Sequence, residues 1–233
     1  MLAIAGGKGG TGKTTTALGL AAAADGFALV VDADVEMPDL HALAGVARSP
    51  TVAAVADGPI ATAQSVPDRD GVAVLPAPTS TDDRTGLRAA VARCRHADAV
   101  VVVDCPAGAG PDVATPLRVA DAVLLVSTAC APALRDAAKT AALARALGTQ
   151  PVGAVLTRTG IAPDAVVDLL GCPVVGVVPD VAPPVLDAAG VRTAYRRAAD
   201  RLGLGAADDG RPGPGPAPGR SGVPDRRSGG SGR

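Results

Sequence analysis

The sequence predicts an α/β fold: a mostly parallel, doubly wound sheet flanked by helices. Three observations predict it. Short valine-rich runs alternate along the chain with Ala/Leu/Arg segments of helical period. Several of those runs are apolar on both faces, as buried strands covered by helices on each side must be. A glycine-rich loop joins the first run to the first helical segment with no spacer.

Taken in order, LAIA (2–5) reads as the opening strand, and the loop then feeds a helix over Gly12–Ala24. FALVVD (27–32) is the second strand. The 51–70 region has weaker signals and receives no assignment. GVAVLPA (71–77) and AVVVVDCPAG (99–108) are strands that bracket a helix over Asp82–Arg95. AVLLVS (122–127), VGAVLTR (152–158) and PVVGVVPD (173–180) complete the strands. Helices are expected at Pro132–Leu147, Asp164–Leu170 and Val191–Leu202. From about Gly205 the chain turns to Gly, Pro, Ser and charge, with no apolar stripe able to pack. The expected organisation is one folded domain over 1–204 and a disordered Gly/Pro/Arg-rich tail over 205–233. A basic arm touching nucleic acid is the alternative for the tail, whose five arginines are offset by three aspartates.

With 233 residues the chain has the length for one good-sized core. Hydrophobic residues make up 48%, yet there is one Phe, one Tyr and no Trp, so Ala, Val, Leu and Ile must build that core. A net charge of −1 supplies no global field toward nucleic acid or an acidic membrane. The four cysteines are scattered without metal-ligand spacing and read as small buried hydrophobes in a reducing cytosol. No signal peptide is read at the start, and no apolar run reaches the roughly 18–20 residues of a membrane span, so the expected location is cytoplasmic.

The chain has three lysines against nineteen arginines, and two of the three, Lys8 and Lys13, lie in GGKGGTGKTTT (6–16). Gly7-Lys8-Gly9-Gly10-Thr11-Gly12-Lys13-Thr14 fits GxxxxGK[ST] in its required strand–loop–helix context. The glycines let successive backbone N–H groups point inward at a phosphate chain, and the helix start adds its positive end. Lys13 would bridge the β- and γ-phosphates, the Thr14 hydroxyl would ligate Mg²⁺, and Thr15 could bond the α-phosphate. That generic motif explains Lys13 but not Lys8.

The form KGGTGKT is the deviant Walker A sequence, and here the chain resembles the MinD/ParA family of P-loop ATPases, on the MinD side. The resemblance implies that Lys8 reaches across a nucleotide-sandwich homodimer to the partner's phosphates. It implies ATP and Mg²⁺ as cofactors, and an activating partner that stays unnamed. VVDADVEMPDLHAL (30–43) resembles the family's switch I, which puts Asp34 in the role of positioning the attacking water, with Asp32 supporting it near the Mg²⁺. VVVVDCPAGAG (100–110) resembles Walker B and switch II: Asp104 would serve the Mg²⁺ shell and the Gly108 N–H would sense the γ-phosphate. AVLTRTG (154–160) falls where the family places an Asn-Arg pair on adenine, but Thr157 stands in place of the Asn, followed by Arg158. In VVPD (177–180), Pro179 and Asp180 are the candidate contacts of the loop that closes over the base. STACAPALRDAAKT (127–140) resembles the MinD-type helix start, and reads equally as a capped helix with Arg135 and Asp136 in solvent.

The resemblance covers roughly residues 1–202. No amphipathic membrane-targeting helix is read after it, and the CxxC pairs of iron–sulfur relatives are missing. Arg192, Arg196, Arg197 and Arg201 on the last helix read as a solvated face, with DNA contact the lesser alternative. The expected function is an ATPase switch that dimerises with ATP and separates after slow hydrolysis, for positioning of a cargo. Two rivals stand beside it: an ATP-dependent metabolic enzyme like dethiobiotin synthetase or cobyrinic acid synthase, and a non-hydrolysing nucleotide-binding adaptor.

Overall fold

The computed structural model describes residues 1–55, 58–78 and 84–204. The expected tail over 205–233 and the first two residues of the helix expected at Asp82–Arg95 lie outside the described residues. Eight strands and eight α-helices follow one another among the described residues. The first half runs β1 (Leu2–Gly6), α1 (Lys13–Ala21), β2 (Ala28–Asp32), α2 (Leu40–Ala44), α3 (Pro59–Thr62), β3 (Gln64–Ser65), β4 (Val72–Leu75) and α4 (Arg84–Cys94). The second half runs β5 (Val100–Ala107), α5 (Pro111–Val119), β6 (Ala122–Thr128), α6 (Ala131–Ala146), β7 (Gln150–Thr157), α7 (Ala165–Leu170), β8 (Val174–Val178) and α8 (Ala189–Leu202).

The strands form one sheet in the order β3-β4-β2-β5-β1-β6-β7-β8. Every neighbouring pair is parallel except β3 with β4. Successive residues of each buried strand point to opposite faces, so each strand feeds two separate apolar layers. Ala3, Ala5, Leu29, Val31 and Val103 face the layer completed by α4, α5, α6 and α7. Leu2, Ile4, Val30, Val102 and Val126 face the layer of α1 and α8. The second layer contains the chain's one tyrosine, Tyr195 of α8, whose ring leaves no room for a Cβ at Gly19 of α1.

Each expected strand and helix is found, with ends shifted by one to three residues, and the fold class is the expected one. Helix α5 was not expected from the sequence. It carries Pro111 in its first turn and Pro116 inside, a combination that reads as a loop. Burial of Val113, Leu117 and Val119 against the sheet overrides the hydrogen bond that Pro116 cannot donate. The unassigned 51–70 stretch holds only short pieces, the four-residue α3 and the two-residue β3. β1 lies at the centre, between β5 and β6, so the carboxyl ends of β1, β2, β5 and β7 meet at one crevice, where open α/β sheets bind ligands.

Candidate functional site

The loop after β1 is shaped by glycine where nothing else fits. Gly10 and Gly12 take φ of 72° and 90°, in the left-handed region. A Cβ on Gly7 would run into Asp136 of α6, so this residue lets the loop lie directly against that helix. The loop's carbonyls are held from outside. Thr11 Oγ1 donates to the Lys8 carbonyl at 3.2 Å, Arg158 donates to the Gly10 carbonyl at 2.6 Å, and Thr157 Oγ1 donates to the Thr11 carbonyl at 2.7 Å. Among the described residues no acceptor takes the backbone N–H groups of Gly9 to Thr14. Gly9, Gly10, Gly12, Lys13, Thr14 and Thr15 line a cleft of about 400 Å³. Unpaired N–H groups at a helix start make an anion cradle.

The two lysines part company. Lys13 is only 8% exposed and faces the cleft, whereas Lys8 is exposed on the rim of the loop. Among the described residues Lys8 forms no ion pair. Its charge still reaches the start of α6. Asp136 is held below the usual carboxylate range, first by its hydrogen bond from Lys139 and to a smaller extent by Lys8.

Near the carboxyl ends of the central strands, Asp32, the last residue of β2, and Asp104 of β5 are direct register partners. They are 1% and 2% exposed, and Asp32 Oδ2 and Asp104 Oδ1 have no hydrogen-bond partner. Burial, followed by the neighbouring Asp104 charge, pushes Asp32 up to about 8. Burial also lifts Asp104 to about 7, against the pull of the Thr14 hydroxyl and the Lys13 ammonium. Two orphaned, buried carboxylate oxygens beside a threonine hydroxyl are a donor set for a hard divalent cation. Among the described residues no group of three or more His, Cys, Asp or Glu side chains forms a metal cage by itself. Such a pair suits Mg²⁺, which is held by one or two protein ligands with water and phosphate supplying the rest.

Asp34 lines the cleft, but its carboxylate accepts the backbone N–H groups of Glu36 at 3.2 Å and Met37 at 3.0 Å. Its own N–H donates to Asp32 Oδ1 at 2.9 Å. Gly108, at φ 98°, donates its N–H to the Gly6 carbonyl at 3.1 Å, and its carbonyl accepts from Thr140 Oγ1 at 3.2 Å. In this state the Gly108 N–H is therefore already spent on β1.

Residues 2–182 match the family model of the CobQ/CobB/MinD/ParA nucleotide binding domain. The chain belongs to this family. It is 32% identical over 194 residues to an uncharacterized ATP-binding protein of Methanocaldococcus jannaschii, an alignment covering 77% of this chain and 74% of that one. The septum site-determining protein MinD of Pyrococcus horikoshii, solved complexed with Mg-ADP, superposes with a TM-score of 0.74 at 23% identity. The match covers 86% of this chain and 94% of the Pyrococcus chain. The cobyrinic acid a,c-diamide synthase of Mycobacterium smegmatis, solved with an ATP analog and magnesium, gives a TM-score of 0.64 at 24% identity, covering 86% and 93% of the two chains. At these identities the two solved structures establish the fold.

In this MinD/ParA-type domain the four residues expected at the base do come together. Thr157, Arg158, Pro179 and Asp180 line a cavity of about 90 Å³ that shares Gly12, Thr15 and Arg158 with the glycine-loop cleft. Thr157 also has a partner within the loop. The residue is 5% exposed, and its hydroxyl donates to the loop carbonyl of Thr11. With its proton committed to the backbone, the hydroxyl braces the loop. Arg158 sits at φ 54°, a strained backbone for a non-glycine residue, and that turn carries its guanidinium to Gly10.

Three contributors were missed from the sequence. Asp39 accepts a hydrogen bond from Thr14 Oγ1 at 3.1 Å. Thr140 pins Gly108, and Tyr195 lines the cavity of Thr157 and Pro179 while its hydroxyl pairs with Thr16 at 3.2 Å. Only Asp39 had a sequence signal, as an acid directly before an apolar helical stretch.

Proposed function

We propose that this chain is an ATP–Mg²⁺-dependent switch that pairs face to face with a second copy and separates after slow hydrolysis. The observation that carries the reading is the opposite placement of the two loop lysines. Lys13 is buried in the cleft, where it serves the phosphates of its own nucleotide. Lys8 is exposed on the rim and, among the described residues, forms no ion pair, so its ammonium is free to meet a group from a second subunit. Met37 at 72% exposure and Leu43 at 47% line the cleft with Lys13, so its mouth also offers large apolar side chains for burial.

In the hydrolytic state the Gly9–Thr14 backbone and Lys13 hold the triphosphate, and Thr14, Asp32 and Asp104 are the protein's contribution to Mg²⁺. The metal would neutralise charge developing on the phosphate oxygens. Asp34 positions the attacking water, for which its carboxylate must exchange the Glu36 and Met37 N–H groups. Gly108 must likewise release Gly6 to meet the γ-phosphate. Both rearrangements belong to loops that reorder with nucleotide, and each adds to the barrier in an isolated subunit. Proline and aspartate at 179–180 border the base, with Arg158 between base and phosphates. The biological output proposed is positioning of a cargo, with an activating partner, in the cytoplasm.

The M. smegmatis synthase keeps the metabolic reading in view, since it shares the fold. That reading requires turnover that depends on a small carboxylic acid, whereas the switch hydrolyses ATP alone. A non-hydrolysing adaptor would show no turnover at all. For the switch, ATP turnover per subunit rises with protein concentration as pairs form. Turnover independent of concentration contradicts it.

A further inference from the structure

We infer that Asp39 is the positioning residue for the Thr14 hydroxyl, and that it ties the phosphate site to the 36–45 segment. The inference rests on the Mg²⁺–nucleotide reading above and goes further into the same site. Thr14 lies in the first turn of α1 and Asp39 directly precedes α2, 25 residues later, yet their side chains meet at 3.1 Å. Asp39 occupies the N-cap position of α2 but makes no capping hydrogen bond, so its carboxylate is not spent on its own helix. The aspartate just ahead of this segment behaves in the opposite way, with Asp34 accepting the Glu36 and Met37 N–H groups and shaping the turn. One acid builds the segment, and the other fastens it to the loop.

The chemistry of a hydroxyl gives this bond its meaning. Threonine has one proton and two lone pairs; the proton goes to Asp39 at 3.1 Å, although the hydroxyl also lies close enough to Asp104 to pull that carboxyl down. The lone pairs are then turned away from Asp39 and left for a cation. The buried oxygens without partners, Asp32 Oδ2 and Asp104 Oδ1, lie on register-paired residues, and the Thr14 hydroxyl is close to Asp104, so one cation could serve all three. A carboxylate that takes the proton of a ligating group fixes its orientation and makes it a better donor, as outer partners of metal ligands do. A hydroxyl on a cation is also a stronger proton donor, so the Thr14–Asp39 bond tightens when the site fills. That tightening holds down α2 and the exposed Met37 and Leu43 on either side of Asp39. Asp39 itself is exposed, so removing its carboxylate leaves the core untouched.

The test compares wild type, Asp39→Ala and Asp39→Asn. ADP affinity is measured by calorimetry in EDTA and across a Mg²⁺ titration, with hydrogen exchange of residues 36–45 followed alongside. The expected result is ADP affinity in EDTA equal to wild type within about twofold for both variants. The enhancement by Mg²⁺ falls about 10-fold in Asp39→Ala, the low end for loss of an outer-shell partner. Asp39→Asn recovers most of it, because an amide oxygen accepts the same hydrogen bond. Mg²⁺–ADP slows exchange over 36–45 in wild type but not in Asp39→Ala. An unchanged Mg²⁺ enhancement in Asp39→Ala, an equal loss with and without Mg²⁺, or an Asn variant as impaired as Ala each overturns the assignment. A wild type whose ADP affinity ignores Mg²⁺ fails at the earlier step, the metal reading itself, and takes this inference with it.

Discussion

Lys13 and Lys8 differ by five positions and by everything in their surroundings, so their removal should have different consequences. Lys13→Ala loses the one buried cation of the cleft, and nucleotide affinity should drop roughly 100-fold, the scale of a charge-assisted contact to phosphate. Lys8→Ala should bind ADP as wild type does, because its side chain lies on the rim. Fluorescent-nucleotide titration separates the two. Thr157 supplies a third expectation. Thr157→Val removes the hydroxyl that braces Thr11 while keeping the shape, leaving a buried carbonyl with one partner fewer. Thermal unfolding should show a loss of about 1–2 kcal/mol. The ratio of ATP to GTP affinity should not move, since that proton already belongs to the loop. A changed ratio would return Thr157 to the base. The sequence grouped Thr157 and Arg158 with Pro179 and Asp180, which share one cavity, because motif spacing reports where a residue is. Where a hydroxyl donates its proton depends on Thr11, 146 positions away, and no local pattern carries that.

Among the elements, the strands were legible because burial on both faces writes itself as unbroken Val, Leu and Ile runs, as in Val100–Val103 and Val123–Val126. The helices α1, α4, α6 and α8 were legible through their period. Helix α5 was not, because Pro111 and Pro116 speak against a helix more loudly than Val113 and Leu117 speak for one. The contact between α1 and α8 depends on a pair no periodicity reveals, Gly19 beneath the Tyr195 ring. Gly19→Ala improves helix propensity by about 1 kcal/mol. Overpacking against the ring should nevertheless outweigh that gain, for a net loss of about 1–2 kcal/mol in chemical unfolding. As the only tyrosine in a chain without tryptophan, Tyr195 should also report the change directly in its fluorescence. A stabilised Gly19→Ala protein would mean that the two helices pack less tightly than described.

For the whole molecule, the paired carboxylates make stability depend on pH. Asp32 and Asp104 are raised above the 3.8 of a free aspartate, to about 8 and about 7, chiefly by burial. Each therefore favours the folded nucleotide-free protein while protonated. That contribution is complete below about pH 4 and is lost as pH climbs through 7 and 8. Asp32→Asn removes the titration, so without nucleotide it should melt above wild type at pH 8.5, with the gap closing toward pH 5. A gain of about 1 kcal/mol corresponds to roughly 2–4 °C at this size. A gap that widened toward acid would reverse the assignment.

The central claim concerns two molecules rather than one: ATP closes a pair in which Lys8 serves the neighbour. Light scattering on size-exclusion peaks of Asp34→Ala, with ADP and then with ATP–Mg²⁺, tests it most directly, because blocked hydrolysis traps the pair. The account predicts one chain of 22.6 kDa with ADP and twice that mass with ATP, reverting to one chain when Lys8→Ala is added. A protein that binds ATP and remains a single chain, or pairs equally well without Lys8, would contradict it.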